Sequence, residues 1–164
     1  MPLYIDKISL KNDNLTIATH QELPDGNTKK RTVTEPLEEK NDQEVATFQT
    51  SLKDLLPYAI SLCELALNEE EKDYLKIIGI RFNYKKDRFG ASMQVKKHLV
   101  NSDKDLVFWT PFKTTASATN PDDRIDPLKE MDSAYMRYLQ IVLKTVKPLT
   151  FSTKEETINF QEEN

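Results

Sequence analysis

From Ile77 to Lys113 apolar and polar residues alternate, and this period of two is typical of a half-buried β-strand. No other feature constrains the fold as strongly, because alternating strands favour an antiparallel sheet with one covered face and one exposed face. The apolar positions predicted to enter the core are Ile78, Ile80, Phe82, Met93 and Val95. We predict a hairpin with its tip at residues 85–89, followed by a short third strand at residues 106–109.

The remainder of the chain predicts two halves with the same order of elements. Three strands are predicted before residue 35, and a helix capped by Asn41 follows, interrupted at Pro57. A second helix is predicted from Asp126 to a stop at Pro148. The order β-β-β-α-β-β-β-α predicts an α+β fold of two layers, an antiparallel sheet of about six strands with two helices packed on one face. Residues 1–149 are predicted to form a single domain, and residues 150–164 a polar, acidic C-terminal tail.

The scarcity of glycine and cysteine argues against several kinds of active site. The chain has three glycines, and neither G-x-G-x-x-G nor the P-loop pattern is present. A single cysteine, Cys63, excludes an intramolecular disulfide and a multi-cysteine metal site. His20 and His98 are the only histidines, and no nucleophile-elbow motif accompanies them. We therefore expect a non-enzymatic protein with no catalytic residue, no metal and no cofactor.

The hydropathy of the sequence predicts no contact with a membrane. No apolar run approaches the roughly 18 residues of a membrane-spanning helix. No signal peptide is evident at the first residues. The expected location is the cytoplasm.

The charge of the chain reverses at its centre. Residues 72–104 carry nine basic and three acidic residues, a balance of +6, within a chain whose net charge is −4. A basic sheet bordered by acidic segments predicts a surface that binds a partner. The candidate binding residues are Arg81, Lys85, Lys86, Arg88, Lys96, Lys97 and Trp109.

Two kinds of partner remain open for this surface. A basic sheet with interleaved aromatic residues is how single-stranded nucleic acid is bound, by neutralisation of its backbone and stacking of its bases. An acidic overall composition and the absence of a known nucleic-acid motif favour instead a protein or a small anionic ligand. The oligomeric state is left open, and a homodimer is compatible with the sequence.

Scattered spacings along the chain resemble a group of small phage and prophage proteins of unknown function. The spacings are Leu62-Cys-Glu64, Gly79-Ile-x-Phe82-x-Tyr84, Gly90-Ala-x-Met93, Lys97-x-Leu99 and Thr110-Pro111-x-Lys113, and the resemblance covers residues 3–145. The group often has a histidine before the last lysine, where this chain has Phe112, so the resemblance carries over no catalytic role. It implies a phage or prophage accessory protein in the bacterial cytoplasm, which binds a host or phage protein and could interfere with a host process or defence.

Overall fold

The computed structural model describes residues 3–84, 89–114 and 126–150 and forms one antiparallel sheet with helices on one side. Its strands are β1 (Leu3–Lys11), β2 (Asn14–Glu22), β3 (Thr28–Pro36), β4 (Leu75–Asn83), β5 (Gly90–Leu99), β6 (Lys104–Trp109) and β7 (Lys113–Thr114). Its helices are α1 (Asp42–Lys53), α2 (Leu56–Leu62), α3 (Glu69–Lys72) and α4 (Asp126–Val146). The sheet order is β3-β2-β1-β4-β5-β6, and the short β7 also pairs with β5. The predicted α+β class is therefore confirmed.

Local turn chemistry shapes the first three strands. The loop between β1 and β2 has two residues, Asn12 and Asp13, and both have positive φ values of 51° and 63°. Two consecutive positive φ values match the type I′ turn, whose twist suits a two-residue hairpin. Between β2 and β3, Gly26 adopts a φ of 87°, and its N–H donates to the carbonyl of Leu23. The sequence Pro24-Asp-Gly-Asn27 is typical of such a turn, because Pro presets φ and Gly accepts a positive φ.

The two halves of the sheet meet where β1 pairs with β4. The paired residues are Lys7 with Arg81, Ile8 with Ile80, and Ser9 with Gly79. The approach is close, because a Cβ on Gly79 would lie 3.1 Å from the Ile8 carbonyl oxygen. This seam makes one continuous sheet from two meanders that are separate in sequence.

A β-bulge in β4 changes which isoleucine enters the core. The register shifts between Ile77 and Gly79, so Ile77 is buried and Ile78 turns toward the opposite face. The prediction that Ile78 belongs to the core is therefore wrong, because a prediction from strict alternation does not allow for an extra residue in the strand. The other predicted core residues, Ile80, Phe82, Met93 and Val95, are buried.

The helices cover the buried face of the sheet. Asn41 caps α1 by accepting a hydrogen bond from the Glu44 N–H, and Pro57 stands in the first turn of α2, as predicted. Side chains of α1 and α4 meet where Ser51 Oγ lies 2.9 Å from Thr145 Oγ1. The side chains buried against the sheet from the helices and from the α1–α2 turn are Phe48, Leu52, Leu55, Ala59, Tyr135, Leu139, Val142 and Val146.

Two short elements were not predicted. Helix α3 is a single separate turn after α2, and Asn68 caps it by accepting a hydrogen bond from the Glu71 N–H. Strand β7 has two residues, and it pairs with Gly90 and Ala91 of β5. The predicted tail after Thr150 lies outside the described residues. Within the described residues, no helix combines the length and apolar character needed to cross a membrane.

Candidate binding face

The central strands present a polar face opposite the helices, which we call the exposed face. The residues that alternate with the buried ones point here, including Lys7 and Ser9 of β1, Arg81 of β4, Gln94 of β5 and Trp109 of β6. Helices α1, α2 and α4 pack on the other side, against the core cluster. Side chains from four strands can therefore contact one partner.

Three side chains form a cation–tryptophan cluster on this face, defined as Lys7, Arg81 and Trp109. The guanidinium carbon of Arg81 lies 4.7 Å from the centre of the Trp109 ring, and Lys7 Nζ lies 5.7 Å from it. Cations at these distances are attracted to the negative face of an aromatic ring. Within the described chain, neither Lys7 nor Arg81 has a carboxylate within ion-pair distance, so both positive charges are available to an anionic partner.

Lys7 reaches the cluster because β1 contains a bulge. The pairing of β1 with β2 shifts register between Ile5 and Lys7, and Asp6 is the extra residue. A β-bulge re-aims the side chains on either side of it. Ile5 and Ile8 both enter the core, and Lys7 lies beside Arg81 on the exposed face.

A groove lined in part by lysines lies beside this cluster, and its lining also includes Asp13 of the β1–β2 turn and Gln49 of α1. It has a volume of about 540 Å³, and its lining includes Lys11, Lys76, Lys96, Gln94 and Val107. Lys76 and Lys96 are directly opposite each other on β4 and β5. Like charges opposite each other destabilise a sheet, so this pair raises the positive potential of the groove at some cost in stability.

Asp6, the acidic residue of the β1 bulge, already forms an ion pair with His20. Asp6 contacts His20 Nδ1 through both carboxylate oxygens, at 2.6 and 2.8 Å. The His20 ring stacks on Tyr4 with a centroid separation of 4.9 Å, and the Tyr84 hydroxyl donates to the Ile5 carbonyl. The Asp6 carboxylate therefore pairs with His20 and not with Lys7 or Arg81.

The structure brings together three of the seven predicted binding residues. Arg81, Lys96 and Trp109 lie on the exposed face, although Lys96 Nζ also lies 4.0 Å from Asp105. Lys97 points to the helix side, where its Nζ lies 3.9 Å from Glu71. Lys85, Lys86 and Arg88 lie outside the described residues.

Sequence reasoning missed Lys7, Lys11 and Lys76, which belong to the same face. Lys7 and Lys11 come from a segment whose overall charge is acidic, and only the β1–β4 pairing brings them to the basic centre. One signal was present in the sequence, because the apolar spacing of Ile5 and Ile8 already predicts an irregularity in β1.

Neither a metal site nor a related protein indicates what the exposed face binds. Among the described residues, no group of three or more His, Cys, Asp or Glu side chains is arranged to hold a metal ion. Comparison with family models, curated proteins and solved structures finds no match to this chain. The function must therefore be inferred from the exposed face itself.

Proposed function

We propose that this chain is a non-enzymatic binding protein that holds an anionic protein partner on its exposed face. The observation that carries the proposal is the cation–tryptophan cluster, in which two cations without a described ion-pair partner flank a partly exposed aromatic ring. Such a site attracts carboxylates through charge and contacts apolar groups through the ring.

Exposed aliphatic groups beside the cluster favour a protein partner. Val107 lines the lysine groove and is 46% exposed, and it lies two residues from Trp109 on the same face. A protein segment can place an apolar side chain against Val107 and a carboxylate against Lys76 or Lys96. A phosphate backbone would bury the charges and leave the aliphatic surface without a matching group.

Single-stranded nucleic acid is the second candidate, and one observation favours it. Trp109 offers the kind of ring on which a base can stack, and Arg81 beside it can neutralise a phosphate. One face of the ring is already occupied by the guanidinium, which leaves less of the ring for stacking.

The biological setting is part of the same proposal. We propose an accessory role in the bacterial cytoplasm, where the partner would be a host or phage protein, on the resemblance of the sequence spacings to small phage and prophage proteins. Interference with a host process or defence would require binding alone, without catalysis.

Trp109 fluorescence can test the proposal directly, because this residue is the only tryptophan in the chain. Poly-glutamate and an oligo-deoxythymidine of matched charge would be titrated into the protein at low and moderate salt. We expect poly-glutamate to change the emission and to lose affinity as salt rises, because screening weakens surface charge pairs.

A charge-matched pair of variants distinguishes the face from the net charge. Lys7→Gln with Arg81→Gln should weaken poly-glutamate binding on the order of tenfold, whereas Lys29→Gln with Lys144→Gln should leave it unchanged. Lys29 and Lys144 are exposed and lie off the exposed face, on edge strand β3 and helix α4. Equal losses in both double variants would refute the site, and tighter binding of the oligonucleotide would favour the second candidate.

A further inference from the structure

The two edges of the sheet differ in how they are protected against pairing with another strand. The edge strand β3 carries three consecutive basic residues, Lys29, Lys30 and Arg31, and ends at Pro36. Charged residues and proline are the usual means by which an edge strand avoids a second chain. The opposite edge strand, β6, reads Lys-Asp-Leu-Val-Phe-Trp and has an apolar C-terminal half.

Exposed apolar side chains concentrate at this second edge. Among the described residues, most of the large exposed apolar side chains lie on β6 or beside it: Val100 at 60%, Leu106 at 48%, Val107 at 46%, Trp109 at 36% and Phe112 at 46%. An edge strand with exposed apolar side chains is a site where another strand can add. Within the described chain, β6 pairs with β5 alone, so its outer edge carries no strand.

The backbone groups that face this open edge can be assigned from the ladder with β5. The Thr110 N–H donates to the Met93 carbonyl, which makes this opposed pair a hydrogen-bonded one. Hydrogen-bonded pairs alternate along an antiparallel ladder, so Leu106 and Phe108 also direct their backbone groups toward β5. Asp105, Val107 and Trp109 therefore direct their N–H and C=O groups to the open edge.

We propose that β6 pairs antiparallel with β6 of a second copy of this chain, in the register that places Val107 opposite Val107. Each of the three outward-facing residues then lies in a hydrogen-bonded pair, since Asp105 faces Trp109 of the second copy on either side of the central pair. On the helix side of the sheet, Leu106 faces Phe108 of the second copy. The apolar side chains of β6 thereby gain apolar neighbours.

Charge complementarity favours this register over pairing with an unrelated strand. The Asp105 side chain is 44% exposed, and its present contacts are His98 Nδ1 at 2.9 Å and Lys96 Nζ at 4.0 Å. Opposite Trp109 of the second copy, the carboxylate approaches that copy's cation–tryptophan cluster. In the same register Lys104 lies opposite Thr110 of the second copy, one residue beyond Trp109. Its positive charge is therefore farther from the cations of the cluster than the Asp105 carboxylate is.

The pairing would extend the exposed face across the two copies. A two-fold axis perpendicular to the sheet keeps both exposed faces on the same side, so one continuous sheet carries two clusters. The two Trp109 residues would be four residues apart along neighbouring strands, a separation of ~14 Å between their Cα atoms. This inference does not depend on the proposed function, because a dimer can form whether or not the face binds an acidic protein.

Solution mass tests the dimer, and one position offers a matched pair of variants. We expect the wild-type chain to show twice its single-chain mass of 19.0 kDa in light scattering. Val107→Pro removes an N–H that faces the open edge and spares the ladder to β5, so it should give a folded monomer. Val107→Thr keeps the N–H and the β-branched shape, and it should remain a dimer.

A cross-linking experiment fixes the register even if the proline variant fails to fold. In a Cys63→Ser background, Val107→Cys should form a disulfide-linked dimer, because Cα atoms of a hydrogen-bonded pair lie ~5.5 Å apart. Thr32→Cys, exposed on the other edge strand, is the control and should stay monomeric under the same oxidation. A wild-type monomer over about a hundredfold range of concentration, or equal cross-linking of both cysteine variants, would overturn the proposal.

Discussion

Arg81 and Trp109 are not on neighbouring strands, because β5 runs between β4 and β6, and yet the Arg81 guanidinium carbon lies 4.7 Å from the centre of the Trp109 ring. The long arginine side chain must therefore reach across β5, where Ser92 lies opposite Arg81 and Gln94 lies opposite Trp109. This geometry makes the tryptophan a reporter of the local charge.

Collisional quenching of Trp109 should depend on the charge of the quencher. We expect iodide to quench the fluorescence more efficiently than caesium, because Lys7 and Arg81 attract anions to the ring. Replacing both with glutamine should reduce the iodide rate constant and raise the caesium one. Similar preferences before and after the replacement, measured at the same ionic strength, would contradict the assigned geometry.

The opposed lysines on β4 and β5 predict a variant in which stability and binding change in opposite directions. Lys76→Glu places an acidic residue opposite Lys96, which should raise the free energy of unfolding by ~0.5 kcal/mol. The same change lowers the positive charge of the groove and should weaken poly-glutamate binding. Urea denaturation and Trp109 titration measure the two effects, and Lys76→Gln serves as an intermediate. Loss of stability in Lys76→Glu would show that the two side chains do not interact as opposed charges.

Tyr135 predicts a dependence of stability on alkaline pH. Burial raises the pKa of this tyrosine above its ordinary value of 10, and its hydroxyl lies 3.3 Å from the Ala91 carbonyl oxygen. The unfolded chain therefore loses this proton first, so stability is present below pH 10 and falls above it by up to about 1.4 kcal/mol per pH unit.

Tyr135→Phe isolates this contribution. At neutral pH the variant should be less stable by ~1 kcal/mol, because the hydrogen bond is lost. The difference from wild type should shrink as pH rises above 10, which urea denaturation at a series of pH values measures. Curves that stay parallel throughout that range would mean that Tyr135 does not stay protonated in the folded protein.

Replacing Gly90 with alanine should lower the stability of the fold, and a second substitution at Thr114 should not restore it. A Cβ at this position would overlap the Lys113 carbonyl oxygen and lie 2.7 Å from Thr114 Cα, so Gly90→Ala should displace β7 and cost ~1–3 kcal/mol. Thr114→Ala removes the Thr114 Cγ2 contact but should not restore stability, since the overlap with the Lys113 carbonyl oxygen and with Thr114 Cα remains. Recovery in the double variant, measured by urea denaturation, would place the conflict in the side chain instead.

The sequence was sufficient for the elements that local chemistry controls. The capping of α1 by Asn41, the break at Pro57 and the turn at Gly26 each follow from residues within a few positions of one another. The alternation of β5 likewise predicted its buried Met93 and Val95.

The parts that sequence reasoning missed depend on contacts between distant residues or on one-residue shifts. The bulge at residues 77–79 turns the Ile78 side chain to the opposite face of the sheet, and the alternation of apolar residues alone does not predict a bulge. Lys7 joins Arg81 only through the β1–β4 seam, which no local pattern specifies. The same reasoning explains Lys97, whose position one residue after Lys96 sends it to the helix side.

The β1–β4 seam has a consequence for the order in which the protein acquires its surface. Each meander is joined by short hairpin loops, whereas Lys7 and Arg81 are far apart in sequence, and closing that long loop is slower than closing a hairpin. Within the cation–tryptophan cluster, Arg81 and Trp109 both belong to the second meander, and only Lys7 belongs to the first. Closure of the seam therefore adds a second cation to a ring that already contacts one, and opening of the seam would remove that second cation.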